Sequence, residues 1–547
     1  MGPMTGGEAV AETLRRYGVT HVFGIVSVHN LPIYDALSRT AGMTVVRMRH
    51  EQAATHAADG FARATGRLGV VLTSTGPGCV NAVSGLYEAQ YGSSPVLMIT
   101  GQIESRFYGK GKGFLHEFER QLDLLRTVTR RVESVRRAED IGVALASVVD
   151  DIRTGRPQPG AIEIPIDLQY KVTEIDVPVP RPPTRITPDE AALDAAAALL
   201  RDAKRPLLWA GGGVVSSDAA SELTALAELL DAPVITTLEG RGAIPEDHRL
   251  ALGPRSERAA LAPVIAEADV VLAVGTRFQN YATRVWQLPI PGKLIHLDAD
   301  PSVIGRNYAA TVPIVGDARD SLAAMTKLLD QRVGDSGYLA RARAALDADR
   351  ERSAAEFGAD HAEIAAIIRR LLPRDGVFVR DSTVPAYLWG NRGVPIYEPR
   401  TSIRPSSMAI GPGLGLAIGA ATGTGRPTVL IQGDGGLMLS IGELATVAEY
   451  QLPIVICIFN DRGYGVLRTI EAAMLDRQFG VDLHTPDFVT IAAGVGLPAE
   501  PVAGVAAFER AFGAALARGG PTVLDIDMSA LTPLTFPMPA HYQHHRR

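Results

Sequence analysis

Ile431-Gln432-Gly433-Asp434-Gly435-Gly436, followed by Ile458-Phe459-Asn460-Asp461-Arg462-Gly463, are the two segments that decide how this chain folds. Residues 428–432 form a short β-prone run ending in glycines, 441–450 have helical apolar spacing, and 453–459 are a continuous apolar run of strand length. This pattern is a βαβ unit. A right-handed crossover delivers both strand ends to one edge of a parallel sheet, so Asp434 and Asp461, 27 residues apart in sequence, become neighbours. Two carboxylates, a backbone carbonyl and a diphosphate would complete the octahedral oxygen shell that Mg²⁺ prefers. Gly435 and Gly436 let the backbone approach a phosphate closely. The competing interpretation is a glycine turn and an unrelated Asn-Asp loop. A lone Gly-Asp-Gly would favour it; the Asn-Asp partner at this spacing favours a metal site.

Outward from that unit the same pattern recurs. A length of 547 residues exceeds what one core covers and fits three domains. Strand-like runs at 19–25, 44–48, 69–73, 95–100 and 161–166 alternate with helical stretches, as do runs at 206–210, 234–237, 270–274 and 293–297. Residues 176–188 are too proline-dense for a helix or a central strand and read as a linker. The expectation is three parallel-sheet α/β domains at 1–175, 189–340 (Rossmann-like) and 357–530. A charged, alanine-rich helical connector spans 335–356, and 531–547 form a tail.

The net charge of −6 comes with no polybasic stripe, which argues against nucleic acid as a partner. Cys79 and Cys457 have no CxxC spacing, and no run is long and apolar enough to span a membrane. A cytoplasmic protein without a membrane partner is expected. A dehydrogenase would need Gly-x-Gly-x-x-Gly after the first strand, and Gly24-Ile25-Val26 does not supply it.

Glu51 falls at a strand-to-helix turn, where an acid can simply complement the helix dipole. Its surroundings add more. Residues 49–83, RHEQAATHAADGFARATGRLGVVLTSTGPGCVNAV, closely resemble the pyrimidine-domain signature of acetolactate synthases. The Gly-Asp-Gly and Asn-Asp pair is similar to the cofactor signature of the wider thiamine-diphosphate (ThDP) enzyme superfamily, which includes pyruvate oxidase and benzoylformate decarboxylase. The likeness spans nearly the whole chain, and it makes the first domain pyrimidine-binding and the third diphosphate-binding.

This resemblance implies Mg²⁺ ligands at Asp434, Asp461 and the main-chain oxygen of Gly463, with Gly433, Gly435, Gly436, Tyr464 and Gly465 lining the cofactor. Asp461 stands where the family has Asn, adding a negative charge. Glu51 aligns with the acid that contacts N1′ of the aminopyrimidine, Ile410 with the apolar prop that bends the cofactor, and Thr383 with a diphosphate-contacting loop. Facing the reacting carbon are His29, His116 and Glu117, with Gln102 nearby; His21 and His56 read as ordinary histidines.

Three departures bear on substrate. Ser27-Val28-His29 replaces a glycine pair, Ile470 replaces a Trp that selects the acceptor, and Leu252-Gly253-Pro254-Arg255 replaces a stretch associated with FAD. FAD is therefore not expected. The implied activity is a ThDP- and Mg²⁺-dependent carboligase that decarboxylates a 2-oxo acid and passes the resulting enamine to an acceptor carbonyl. The alternatives are a non-ligating 2-oxo acid decarboxylase and a non-catalytic relative. The family places the cofactor between subunits, so a homodimer is the minimum and a homotetramer the expected assembly.

Overall fold

The apolar runs fold into three six-stranded, all-parallel sheets in the computed structural model, which describes residues 2–330, 335–475 and 477–534. The first sheet contains β1 (His21–Gly24), β2 (Thr44–Arg47), β3 (Gly69–Thr73), β4 (Val96–Gln102), β5 (Arg131–Ser134) and β6 (Gly160–Pro165) in the order β2-β1-β3-β4-β6-β5. The second contains β7 (Pro206–Ala210), β8 (Val234–Thr236), β9 (Ala251–Gly253), β10 (Val270–Val274), β11 (Lys293–Asp298) and β12 (Val312–Val315), ordered β9-β8-β7-β10-β11-β12. The third contains β13 (Val377–Arg380), β14 (Ser402–Ile403), β15 (Thr428–Gly433), β16 (Ile454–Asn460), β17 (Ala499–Val502) and β18 (Thr522–Asp527), ordered β14-β13-β15-β16-β18-β17. The first and third sheets thus share one topology, while the second has the 3-2-1-4-5-6 order of a dinucleotide fold.

Helices cover both faces of such sheets, which is why β3, β4, β6, β7 and β10 are buried along their whole length. Among the strands not expected from sequence, β5, β9, β12, β14 and β17 lie at sheet edges, whereas β18 lies inside the third sheet, between β16 and β17. Edge strands need no continuous apolar run: β5 is RVES, half-buried throughout. Residues 176–188 carry no helix or strand. The tail from residue 535 onward lies outside the described residues.

Four helices matter for the site. They are α1 (Glu51–Thr65), α2 (Pro77–Gly92), α3 (Ser336–Phe357) and α4 (Gly413–Thr424). Asp335 caps α3 by accepting from Gly337 N (2.9 Å), and Tyr338, Ala342 and Leu346 of that helix pack into the central domain. Helices α1 and α4 come from different domains yet belong to one continuous core. Their backbones touch because Gly60, Gly415, Gly419 and Gly423 lie at the contact. A Cβ on Gly419 would sit 1.8 Å from Ala57 O, and one on Gly60 2.1 Å from Leu416 O. The two helices start at the same end, so Glu51 and the segment carrying Ile410 both lead into this joint.

Candidate active site

Strand β15 ends at Gly433, and Asp434 begins the short helix Asp434–Met438. Asp434 is buried: its Oδ2 accepts from Thr485 Oγ1 (3.0 Å), and its Oδ1 is also buried but has no hydrogen-bond partner among the described residues. Asp461 follows β16, and burial, then the neighbouring Asp434 carboxylate, push its pKa up to about 6. Asn460, by contrast, donates to Asp525 Oδ1 (3.1 Å) and accepts from Arg462 N (3.2 Å).

Glycines shape the space around these carboxylates. Asp461 Oδ2 lies 1.7 Å from where a Cβ on Gly465 would stand, so the carboxylate folds back over a residue that must lack a side chain. Tyr464 Cε1 is 2.7 Å, and Gly463 O 3.5 Å, from the corresponding point on Gly435. Thr383 Oγ1 is 3.1 Å from that point on Gly433, and Ile410 Cγ2 is 3.4 Å from it on Gly436. One wall thus gathers Thr383, Ile410, Gly433, Asp434, Gly435, Gly436, Asp461, Gly463, Tyr464 and Gly465. A buried carboxylate oxygen without a partner, facing a second carboxylate whose ionisation is disfavoured, calls for a cation. Oxygen donors of this kind suit Mg²⁺, and the glycine-lined start of the helix leaves room for a diphosphate.

Glu51 is the first residue of α1. His50 caps the helix by accepting from Gln52 N (3.1 Å). Glu51 Oε2 accepts from Asn81 Nδ2 (3.0 Å), and Oε1 lies 3.1 Å from where a Cβ on Gly78 would stand, so α2 fixes the carboxylate. The turn before Glu51 is tied to the third domain: Arg49 N and His50 N both donate to Glu443 Oε1 (2.9 and 3.0 Å). Burial raises the pKa of Glu443, against its bonds to Thr446, Arg49 and His50. Glu51 itself shares no hydrogen bond with the Asp434–Asp461 pair among the described residues.

His29 and His116 come together across two loops, with ring centroids 5.0 Å apart. His29 is buried, its Nδ1 is 3.4 Å from Ser74 Oγ, and burial, then His116, lower its pKa. His116 has a left-handed backbone (φ 67°), and its Nδ1 is buried with no hydrogen-bond partner among the described residues. Gln102 turns inward instead, accepting from Ile103 N (2.8 Å) and donating to Glu163 Oε2 (3.0 Å). Glu117 accepts from Gly109 N (3.1 Å), which braces its own loop.

Several residues here carried no sequence signal. Asn81 and Glu443 are single polar residues in apolar or glycine-rich stretches, and only their contacts reveal a role, while Asp381 opens the Asp381-Ser382-Thr383 loop that carries Thr383. Asp381 accepts from Gly411 N (2.9 Å) and Gln432 Nε2 (2.8 Å), and burial pushes its pKa up to about 7.

A separate cavity of about 220 Å³ opens beyond the C-terminal ends of the paired strands β7 and β10, bounded by Gly212, Gly275, Arg277 and Asp298 of the central domain and by Arg63 and Arg404 of its neighbours. Beside the central sheet, Arg255 is bound to Asp349 of α3 (2.7 Å) and to Arg392 O (2.8 Å).

Comparison with known proteins matches three family descriptions in succession. They are the thiamine pyrophosphate enzyme N-terminal TPP binding domain at residues 4–125, the central domain at 193–325 and the C-terminal TPP binding domain at 385–526. The chain is 34% identical to a probable acetolactate synthase large subunit of Methanocaldococcus jannaschii, over 96% of this chain and 92% of the relative. It is 35% identical to a probable 2-ketoarginine decarboxylase of Pseudomonas aeruginosa, over 96% and 94%. It is 32% identical to the acetolactate synthase large subunit of Corynebacterium glutamicum, over 90% and 82%.

Proposed function

The chain belongs to the thiamine pyrophosphate enzyme family, and on that premise we propose that it is a ThDP- and Mg²⁺-dependent carboligase, similar to acetolactate synthase, that decarboxylates a 2-oxo acid and joins the remaining acyl unit to an acceptor carbonyl. The Asp434–Asp461 pair, with its buried partnerless oxygen above a glycine-lined helix start, carries this reading.

When bound, ThDP supplies the nucleophilic carbon and the electron sink that the decarboxylation needs. The chain's part is to bind, orient and move protons. Asp434, Asp461 and the carbonyl of Gly463 would hold Mg²⁺, while Thr383 and the glycines at 433, 435 and 436 would admit the diphosphate. Glu51, fixed by Asn81, holds a proton at N1′ of the aminopyrimidine. Ile410, beside Gly436, would pack against the cofactor. His29 and His116 face the substrate and, with His29 held neutral, handle its protons.

A second reading, a decarboxylase that protonates instead of ligating, is favoured by that histidine pair and by the relative named a 2-ketoarginine decarboxylase. We take the enzyme to work without FAD, since Arg255 is committed to Asp349. The functional unit is taken as at least a homodimer, and as a homotetramer in full. Exposed Val26, Val28, Leu115, Met438, Leu439 and Phe479 on the loops around the two half-sites are suited to cover by a second copy. The proposed compartment is the cytoplasm; no described helix is long and apolar enough to cross a membrane, and both cysteines are unpaired and buried.

The test is incubation with ThDP, Mg²⁺ and separate 2-oxo acids, pyruvate, benzoylformate and 2-ketoarginine among them, with CO₂ and the carbon product both identified. A hydroxyketone establishes carboligation, an aldehyde alone establishes the second reading, and no CO₂ from any acid refutes both.

A further inference from the structure

Residues 74–78 run past His29, His116 and Glu51 in turn. Ser74 Oγ stands 3.4 Å from His29 Nδ1, and the Thr75 hydroxyl lies 3.4 Å from His116 O. A Cβ on Gly76 would stand 2.9 Å from that same oxygen, and one on Gly78 would stand 3.1 Å from Glu51 Oε1. From 74 to 76 the chain is neither strand nor helix, and Gly76 turns it into α2 with φ 57° and ψ −113°. The shape of this turn therefore depends on what grips it.

Gln121, the first residue of the helix Gln121–Val128, supplies the grip and is fully buried. Its Oε1 accepts from Thr75 Oγ1 (3.0 Å) and Gly76 N (3.0 Å), while its Nε2 donates to Gly101 O (3.2 Å) and Glu163 Oε2 (2.8 Å). A carbonyl can only accept, so Gly101 fixes which end of the amide faces the turn, and both donors and both lone pairs of Gln121 are used. Glu163 is itself fully buried, and Gln102 Nε2 (3.0 Å) and Ser134 Oγ (2.9 Å) hold it in place. A buried polar network satisfied in this way is rigid. We propose that Gln121, backed by Glu163, is a positioning residue that fixes the turn at 74–76 and, through it, the placement of the His29–His116 pair relative to Glu51. All of these residues belong to the first domain of one chain, so they meet the same cofactor. This role rests on the proposed ThDP chemistry.

The test compares three variants with the wild type. Thr75→Val removes the hydroxyl and keeps the shape, Thr75→Ser keeps the hydroxyl, and Gln121→Met keeps the volume and removes the amide. In cofactor-free protein, amide hydrogen exchange over residues 74–78 should quicken by roughly 5-fold in Thr75→Val, the loss of one neutral hydrogen bond, and by roughly 30-fold or more in Gln121→Met. Residues 433–438, in the third domain, should exchange as before. CO₂ release should show kcat lower by about 10-fold in Thr75→Val and about 100-fold in Gln121→Met, with KM and the ThDP affinity in Mg²⁺ within about threefold of wild type, as expected when orientation is lost rather than binding. Thr75→Ser should recover kcat to within about threefold of wild type. A folded Thr75→Val with wild-type kcat overturns the proposal. So does a Thr75→Ser as slow as Thr75→Val, which makes packing rather than the hydroxyl the cause, and so does exchange that quickens equally throughout the first domain, which marks a merely structural bond. If Gln121→Met does not fold, the two Thr75 variants decide. A wild type that binds no ThDP refutes the functional reading and this proposal together, whereas a wild type that binds and turns over beside an unaltered Thr75→Val refutes this proposal alone.

Discussion

Gly419→Ala separates two opposing effects of known size. Gly419 lies within α4, and replacing a helical glycine by alanine normally stabilises a helix by about 1 kcal/mol. Here the new Cβ would stand 1.8 Å from Ala57 O and 2.6 Å from Phe61 N, both backbone atoms of α1. No rotamer can relieve that overlap, so the helices must part by about 1.5 Å to reach ordinary contact, and overpacking of this kind costs about 3 kcal/mol or more. Overlap wins, and the net expectation is a loss of ~2 kcal/mol or more. Activity should fall further, about 100-fold, because parting α1 from α4 displaces Glu51 and the Ile410 segment within the two half-sites they line, and displacements near 1 Å carry costs of that order. The assay is urea denaturation together with CO₂ release. Gly494→Ala is the control: Gly494 ends a helix in the same domain, and its Cβ would meet nothing within 4 Å, so that variant should be neutral or slightly stabilised. A Gly419→Ala protein as stable and as active as the wild type would refute close backbone contact as the basis of the joint.

Glu51→Gln should leave ThDP binding largely intact, by equilibrium titration, and lower turnover sharply; normal turnover would remove the acid from the proton relay. Asp434→Ala should abolish Mg²⁺-dependent ThDP binding, and calorimetry showing unchanged affinity would count against the metal site. Asp461→Asn tests charge at the same place. Its folded pKa lies above the ordinary 3.8, so the ionised carboxylate costs the metal-free protein stability, a cost absent below about pH 4 and complete above about pH 6. In chelator the variant should therefore melt higher than wild type above pH 6 and alike below pH 4, while binding Mg²⁺ more weakly. An equal melting temperature above pH 6 would show that the carboxylates do not repel. His29→Ala should shift the ratio of hydroxyketone to aldehyde, measured by product mass; an unchanged ratio would place the histidine pair away from the reacting carbon.

The sequence by itself determined the three parallel sheets and the convergence of Asp434 and Asp461. Parallel strands are buried on both faces, so they appear as continuous apolar runs, and a βαβ crossover has one hand, so Asp434 and Asp461 converge without any long-range information. Edge strands such as Arg131–Ser134 escaped because a half-exposed strand needs no such run. Glu51 and Ile410 were legible by resemblance, but what holds them was not. Asn81 bonds a carboxylate 30 positions away, Glu443 backbone amides as far as 394 positions away, and Asp381 the amide of Gly411 30 positions on, and no local period encodes such pairings. Gln102 binds Glu163 and Glu117 accepts from Gly109 N, contacts that no local pattern announces, because the direction of a side chain on a loop is set by the polar groups around it. Tertiary structure alone decided that two domains fuse through α1 and α4, since four glycines in a sequence look like flexibility until the backbones they bring together are known.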